Sequence, residues 1–145
     1  MFPAIEKRIL IHAPINKVWK AITDVNIMTQ WTGEPELELE IATTWKVGSS
    51  ISIKGFHHAH FENKGVVLEY LPEHSLSYNF LSSLSRLPDE EENYTIIRFV
   101  LAEERDATLL SVRLDNFPTE TIERHLNFYW NATLGILKEV VEDKL

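Results

Sequence analysis

Residues 119–144 read TETIERHLNFYWNATLGILKEVVEDK. Ile122, Leu126, Tyr129, Trp130, Thr133, Leu134, Leu137, Val140 and Val141 recur at intervals of three and four, the spacing of one face of an α-helix. Thr119 follows Pro118 and is the expected N-cap. Glu120 and Glu123 stand in the first turn, where the helix dipole favours anions. At 1.5 Å per residue this helix is about 35 Å long, the span of a small domain. An apolar stripe of that width and length needs a broad partner, and the preceding sequence supplies one.

The middle of the chain reads as strand after strand. Glu36-Leu37-Glu38-Leu39-Glu40-Ile41 alternates strictly, and the period predicts a strand although Glu and Leu are good helix formers. Val47-Gly48 marks a turn, and Ile51 with Ile53 continues as a strand. Gly55 to Gly65 reads as a hairpin connection. Residues 65–71 form the next strand, closed by Pro72-Glu73-His74. Leu76, Tyr78 and Phe80 share one face of the strand after it. Ser82 to Asn93 is a polar loop with the acid run Asp89-Glu90-Glu91-Glu92. Tyr94–Leu101 and Thr108–Leu114 are a hairpin pair joined through Glu103-Glu104-Arg105-Asp106.

At the start of the chain, residues 4–12 are a strand with Ile5, Ile9 and Ile11 on one face. Ala13-Pro14 stops it, because proline cannot donate to a ladder but suits a first helical turn. Ile15, Val18, Trp19 and Ile22 then define an amphipathic helix ending near Asp24. Asn26 is the expected cap of a second short helix with Ile27, Met28 and Trp31 as its apolar side. One strand, two short helices, about six to seven antiparallel strands in all and one long helix make an α+β layout. The long helix can bury its stripe only on the concave face of the sheet.

Length and composition agree with a single domain over 1–145. A chain of 145 residues with 44% hydrophobic and 25% charged residues is a folded globular protein, large enough to enclose a pocket. With 14 Lys+Arg against 22 Asp+Glu, its net charge of −8 argues against nucleic acid and anionic membrane surfaces as partners. The absence of cysteine excludes disulfides, thiolate metal sites and cysteine nucleophiles. The opening Met1-Phe2-Pro3-Ala4-Ile5-Glu6 has neither the basic nor the apolar region of a secretory signal, so a soluble, cytoplasmic protein is expected.

Several segments resemble one family in order. Ile11-x-Ala13-Pro14-x-x-x-Val18-Trp19-x-Ala21-x-Thr23-Asp24 resembles the opening strand and helix of the SRPBCC superfamily, and Trp31 its second-helix tryptophan. Trp45-x-Val47-Gly48 is similar to the turn before its third strand. Gly65-x-Val67-x-Glu69-x-x-Pro72-x-x-x-Leu76-x-Tyr78-x-Phe80 resembles its central pattern. Thr95-x-x-x-Phe99-x-Leu101 and Thr108-x-Leu110-x-Val112 match its last two strands. The closer resemblance is to the AHSA-like branch, the activator of heat-shock-chaperone ATPase. The resemblance implies a START-like helix-grip fold: a curved antiparallel sheet wrapped around the C-terminal helix, usually with an internal cavity. Across the superfamily it implies lipid carriers, hormone receptors, cyclases, hydroxylase domains or co-chaperone domains, so the site must decide.

Candidate chemistry is sparse. His57-His58-x-His60 invites a metal, with Glu62 as a third group, but strand alternation puts His57 opposite His58 and His60. A solvated hairpin tip is the expectation, with no metal and no cofactor. There is no Gly-x-Ser-x-Gly elbow, and no catalytic residue is assigned. Glu69, Arg98, Arg113 and His125 would have to line the cavity for a hydrolase or cyclase to work with a buried carboxylate. The aromatic set is more informative. Trp19 and Trp31 are expected to pack the short helices onto the sheet. Tyr78, Phe80, Phe99, Leu126, Tyr129, Trp130, Thr133 and Leu137 are the expected walls of a cavity between sheet and long helix, with apolar faces and a few polar tips. The leading expectation is non-catalytic binding of a small hydrophobic or aromatic molecule. The alternatives are a co-chaperone acting through an exposed surface such as 82–93, and a cavity-based hydrolase or cyclase.

Overall fold

Seven antiparallel strands form one sheet in the order β1-β7-β6-β5-β4-β3-β2. The computed structural model describes residues 2–145, so Met1 of the opening segment lies outside the described residues. The strands are β1 (Ile5–Ile11), β2 (Glu40–Thr43), β3 (Ser50–Phe56), β4 (His60–Leu71), β5 (Ser75–Ser82), β6 (Thr95–Glu104) and β7 (Ala107–Asp115). The helices are α1 (Ile15–Thr23), α2 (Val25–Thr32) and α3 (Glu120–Glu139). Strands β2 to β7 are a meander of adjacent hairpins, and β1 joins its end by pairing Ile5–Ile11 with Leu114–Thr108. This is the helix-grip fold expected from the sequence: α+β, two short helices after β1, and a long C-terminal helix.

Alternation places the core. On β7, Thr108, Leu110, Val112 and Leu114 are buried, and on β6 Thr95, Ile97, Phe99 and Leu101. On α3, Leu126, Trp130, Thr133, Leu134 and Leu137 are buried, and Val140 and Val141 follow in a closing π-helical turn, Val140–Lys144. Thr119 caps α3, its hydroxyl accepting from Ile122 N at 3.2 Å.

Curvature comes from one irregularity. The β4–β5 register shifts between Val67 and Glu69, leaving Leu68 as a bulged residue. A bulge bends its strand and increases the local twist. Just before it, the β4 backbone presses on β5: a Cβ on Gly65 would lie 1.7 Å from the Asn79 carbonyl oxygen. The Asn79 side chain also accepts from Val66 N at 2.8 Å. Only glycine fits so close an approach.

Four local expectations are corrected. The alternating run Glu36–Ile41 is not one strand: Pro35–Leu37 is a 3₁₀ turn, Glu38 has φ 49°, and β2 starts at Glu40. Proline set at the first position of the turn overrides the period-2 pattern. Asp24, not Asn26, caps α2; its carboxylate accepts from Asn26 N at 2.9 Å and Ile27 N at 3.3 Å. The connection placed at Gly55 to Gly65 shrinks to residues 57–59, with β3 and β4 running further. At its tip His58 has φ 61°, so strand alternation does not govern the three histidines.

Two glycine substitutions test the packing. Gly65→Ala should destabilise by about 1–3 kcal/mol, since the bulge must yield. Gly135, exposed inside α3 with nothing within 4 Å of a new Cβ, should do the reverse. Gly135→Ala is expected to stabilise by about 1 kcal/mol. Urea unfolding midpoints of the two variants, moving in opposite directions, are the measurement.

Candidate functional site

The grip of α3 is tight at one end and loose at the other, and the loose end leaves a cavity of about 360 Å³. The sheet contributes Ile53 of β3, Phe61 and Asn63 of β4, Tyr78 and Phe80 of β5 and Ile97 of β6. Helix α3 contributes His125, Leu126, Tyr129 and Trp130, and Trp31 and Thr32 close the wall from the end of α2. The 35–37 turn lays Leu37 over it, the β3–β4 tip brings His57, and Ser82 and Leu84 complete the rim.

Of the eight expected wall residues, five stand in this lining: Tyr78, Phe80, Leu126, Tyr129 and Trp130. Phe99 stands behind them, its ring 5.7 Å from Trp130 and 6.4 Å from Tyr78. Thr133 and Leu137 lie one and two turns further along α3, buried where the helix has already closed on the sheet. The alternation of β3 and β6 already carries Ile53 and Ile97. Phe61 was hidden in a segment read as connection. Trp31 packs α2 as expected, donating from Nε1 to Ala21 O at 2.9 Å, yet its ring also reaches Trp130 at 6.3 Å.

The polar groups of the wall divide into two kinds. The Tyr129 hydroxyl donates to the Thr32 carbonyl, tying α3 to the end of α2. Burial pushes the Tyr129 phenol up to about 12, the Thr133 hydroxyl beside it offsetting part of the rise. Burial likewise raises Tyr78, with Tyr129 adding to it, so both phenols keep their protons. The second kind has no partner. The Thr32 hydroxyl oxygen is buried without a hydrogen bond. Among the described residues no hydrogen bond engages the Tyr78 hydroxyl or the Trp130 indole N–H, and both side chains stand in the wall. The Thr32 oxygen is sealed within the wall, whereas the Tyr78 hydroxyl and the Trp130 N–H belong to lining residues and are left available.

Glu69, Arg98 and Arg113 are elsewhere. Glu69 accepts from Ser75 Oγ at 2.6 Å and pairs with Arg98 at 3.3 Å, on the side of the sheet away from α3. The Ser75 hydroxyl, and then Arg98, hold its carboxyl below the usual carboxylate range. Arg113 faces Glu6 at 3.6 Å and Asp115 at 3.9 Å, also outside. Only His125 of that group reaches the cavity. No Asp or Glu lines it, so the wall offers no carboxylate for the general-base chemistry of a hydrolase or cyclase. Among the described residues no group of three His, Asp or Glu side chains is placed to hold a metal. No helix among them is long and apolar enough to cross a membrane.

Trp130 is 4% exposed and sits between Trp31, Phe99 and Tyr129. Since one side of its ring already faces a hollow, Trp130→Ala should cost about 3 kcal/mol, the low end for a large aromatic. Trp130→Phe should remain folded while removing the free N–H. Thermal unfolding of both variants checks this; a loss well above that figure in Trp130→Ala would mark the ring as closed core.

Comparison with known proteins follows the same fold. The ChR145 protein of Cytophaga hutchinsonii, solved in solution, is 29% identical with a TM-score of 0.82, the alignment covering 99% of this chain and 97% of that one. The CV1439 protein of Chromobacterium violaceum is 19% identical with a TM-score of 0.81, covering 97% and 99%. The Aha1 dimer of Colwellia psychrerythraea is 22% identical with a TM-score of 0.76, covering 98% of each chain. None of the curated proteins matches the chain. Residues 12–142 match the family described as Activator of Hsp90 ATPase homolog 1-like protein, and the chain belongs to that family.

Proposed function

We propose that the chain binds a small, largely apolar or aromatic molecule between the sheet and α3, without catalysis. The observation that carries this reading is the 360 Å³ hollow walled by Trp31, Phe61, Tyr78, Phe80, Tyr129 and Trp130. Ligand sites are typically concave and mostly apolar, with a few convergent polar groups that fix orientation. Tyr78 and Trp130 supply those groups here. Phe99, Thr133 and Leu137 serve as backing that holds the wall in place. A thermal-shift screen of aromatic and apolar fragments tests the reading. A ligand present at 100 times its Kd should stabilise the fold by about 2.7 kcal/mol. The gain should be smaller in Trp130→Ala, and a screen without any stabilising compound rejects the proposal.

A second reading is that the domain stimulates a heat-shock-chaperone ATPase. Its support is the family, together with an exposed apolar surface on α3. Phe128 is 77% exposed and Ile136, two turns on, 45%. Exposed side chains of that size are a feature of interaction surfaces. The acidic loop is a weaker candidate, because Asp89 is occupied by Lys64 and Tyr94, each at 2.5 Å. A chaperone ATPase assayed with saturating protein should turn over faster, and Phe128→Ser should abolish the effect; unchanged turnover rejects this second reading.

A further inference from the structure

The aromatic cavity has a neighbour. A second hollow of about 420 Å³ lies between the end of β5, the 83–93 segment and the first turns of α3. Asn63, Phe80, Ser82, Leu84, His125 and Leu126 line both hollows. Two hollows with six wall residues in common are adjoining compartments. Beyond the shared wall the second is lined by residues such as Leu87, Thr95 and Ile122.

Neither compartment has an Asp, Glu, Lys or Arg in its wall. Three other hollows of the surface carry carboxylates: Glu38 and Glu40 in one, Glu90, Glu91 and Glu92 in another, Glu40 and Glu62 in the third. In a chain with 22 Asp+Glu, two adjoining hollows without an Asp, Glu, Lys or Arg side chain select against a charged occupant, which would lose hydration without gaining a permanent counter-charge.

We propose that the two compartments form one bipartite site for an elongated, uncharged, mostly apolar molecule. Its ring system lies in the aromatic compartment, and a flexible arm passes Phe80 and Leu126 into the second. This rests on the cavity-binding reading above and adds the shape and charge class of the ligand. Phe80 is half-buried and stands in both walls. Each compartment lies in the lower part of the range of about 300–1,000 Å³ usual for ligand sites, and joined they reach its middle.

The experiment compares two fluorescent probes on the full chain, dansylamide and N-decyl dansylamide. The decyl probe is expected to bind at least about tenfold tighter, a factor that burial of two methylenes already provides. Leu87→Trp fills the second compartment only. It should remove that gain and leave dansylamide binding unchanged, with circular dichroism confirming the fold. Ile122→Trp is the substitute should Leu87→Trp not fold. Equal affinity of the two probes for the wild-type chain, or equal weakening of both by the filling variant, overturns the bipartite site and leaves the cavity reading standing. Binding of neither probe overturns the cavity reading, and the bipartite site with it.

Discussion

The uneven grip of the sheet on α3 governs this molecule. At its C-terminal end the helix is fastened. Leu137, Val140 and Val141 are fully buried, and Lys138 donates to the Leu10 carbonyl at 2.9 Å. Glu142 accepts from His12 N at 2.7 Å and pairs with Lys138, which holds its carboxyl below the usual range. The Leu10 carbonyl and the His12 N–H belong to the end of β1 and the turn after it. Toward its N-terminal half the same stripe carries larger, stiffer side chains. Trp130 wedges against Phe99 and Trp31, and Tyr129 props the helix on Thr32. Interiors close-pack wherever side chains can move to fill space. Here rings fixed by their neighbours hold helix and sheet apart, and the space between them persists.

Charge is distributed with the same asymmetry. Carboxylates and guanidinium groups of the sheet pair on its outer face, as Glu69 does with Arg98 and Glu6 with Arg113. Such exposed pairs contribute little to stability, typically below about 1 kcal/mol. On β6 and β7 strict alternation keeps the charged side chains off the concave face, whereas on β4 the bulge at Leu68 turns Glu69 outward, two residues after the buried Val67. The period that buries Ile97 and Phe99 sends Arg98 outward, and the hydrolase or cyclase reading loses its carboxylate to the bulge of β4.

That alternation is also why the fold was legible before any coordinates. The stripe of α3 and the period-2 runs of β5, β6 and β7 are repeated signals, each carried by three or more inward-facing residues. Isolated signals fared worse. Glu36–Ile41 has a perfect strand period, but a single proline at 35 turns its first half into a 3₁₀ turn and lays Leu37 over the cavity. Asp24 took the cap expected of Asn26 because it ends α1 and starts α2 at one residue. The cavity was half legible. Tyr78, Phe80, Leu126, Tyr129 and Trp130 were found because inward-facing rings are visible in a pattern. Phe99, Thr133 and Leu137 obey the same pattern but stand outside this lining, because a hollow is defined by what fails to fill it, which no periodicity records. Thr32 left no signal at all: a threonine ending a short helix is common, and only its unpaired, buried hydroxyl sets it apart.

The polar groups of the wall give the cavity a character that its apolar area alone would not. Burial keeps the Tyr78 and Tyr129 phenols protonated, so near neutral pH the tyrosines present hydroxyls and never anions. Indole N–H is a donor only, and a threonine hydroxyl can give or accept. In the ligand-binding reading, an apolar molecule that merely fills the space leaves the Tyr78 and Trp130 donors unpaired. An unpaired buried donor costs about 1–3 kcal/mol. A molecule of equal size with a carbonyl or ether oxygen in reach of the indole recovers that cost. Volume therefore sets which molecules enter, while the two free donors decide among those that fit, independently of the −8 charge carried outside.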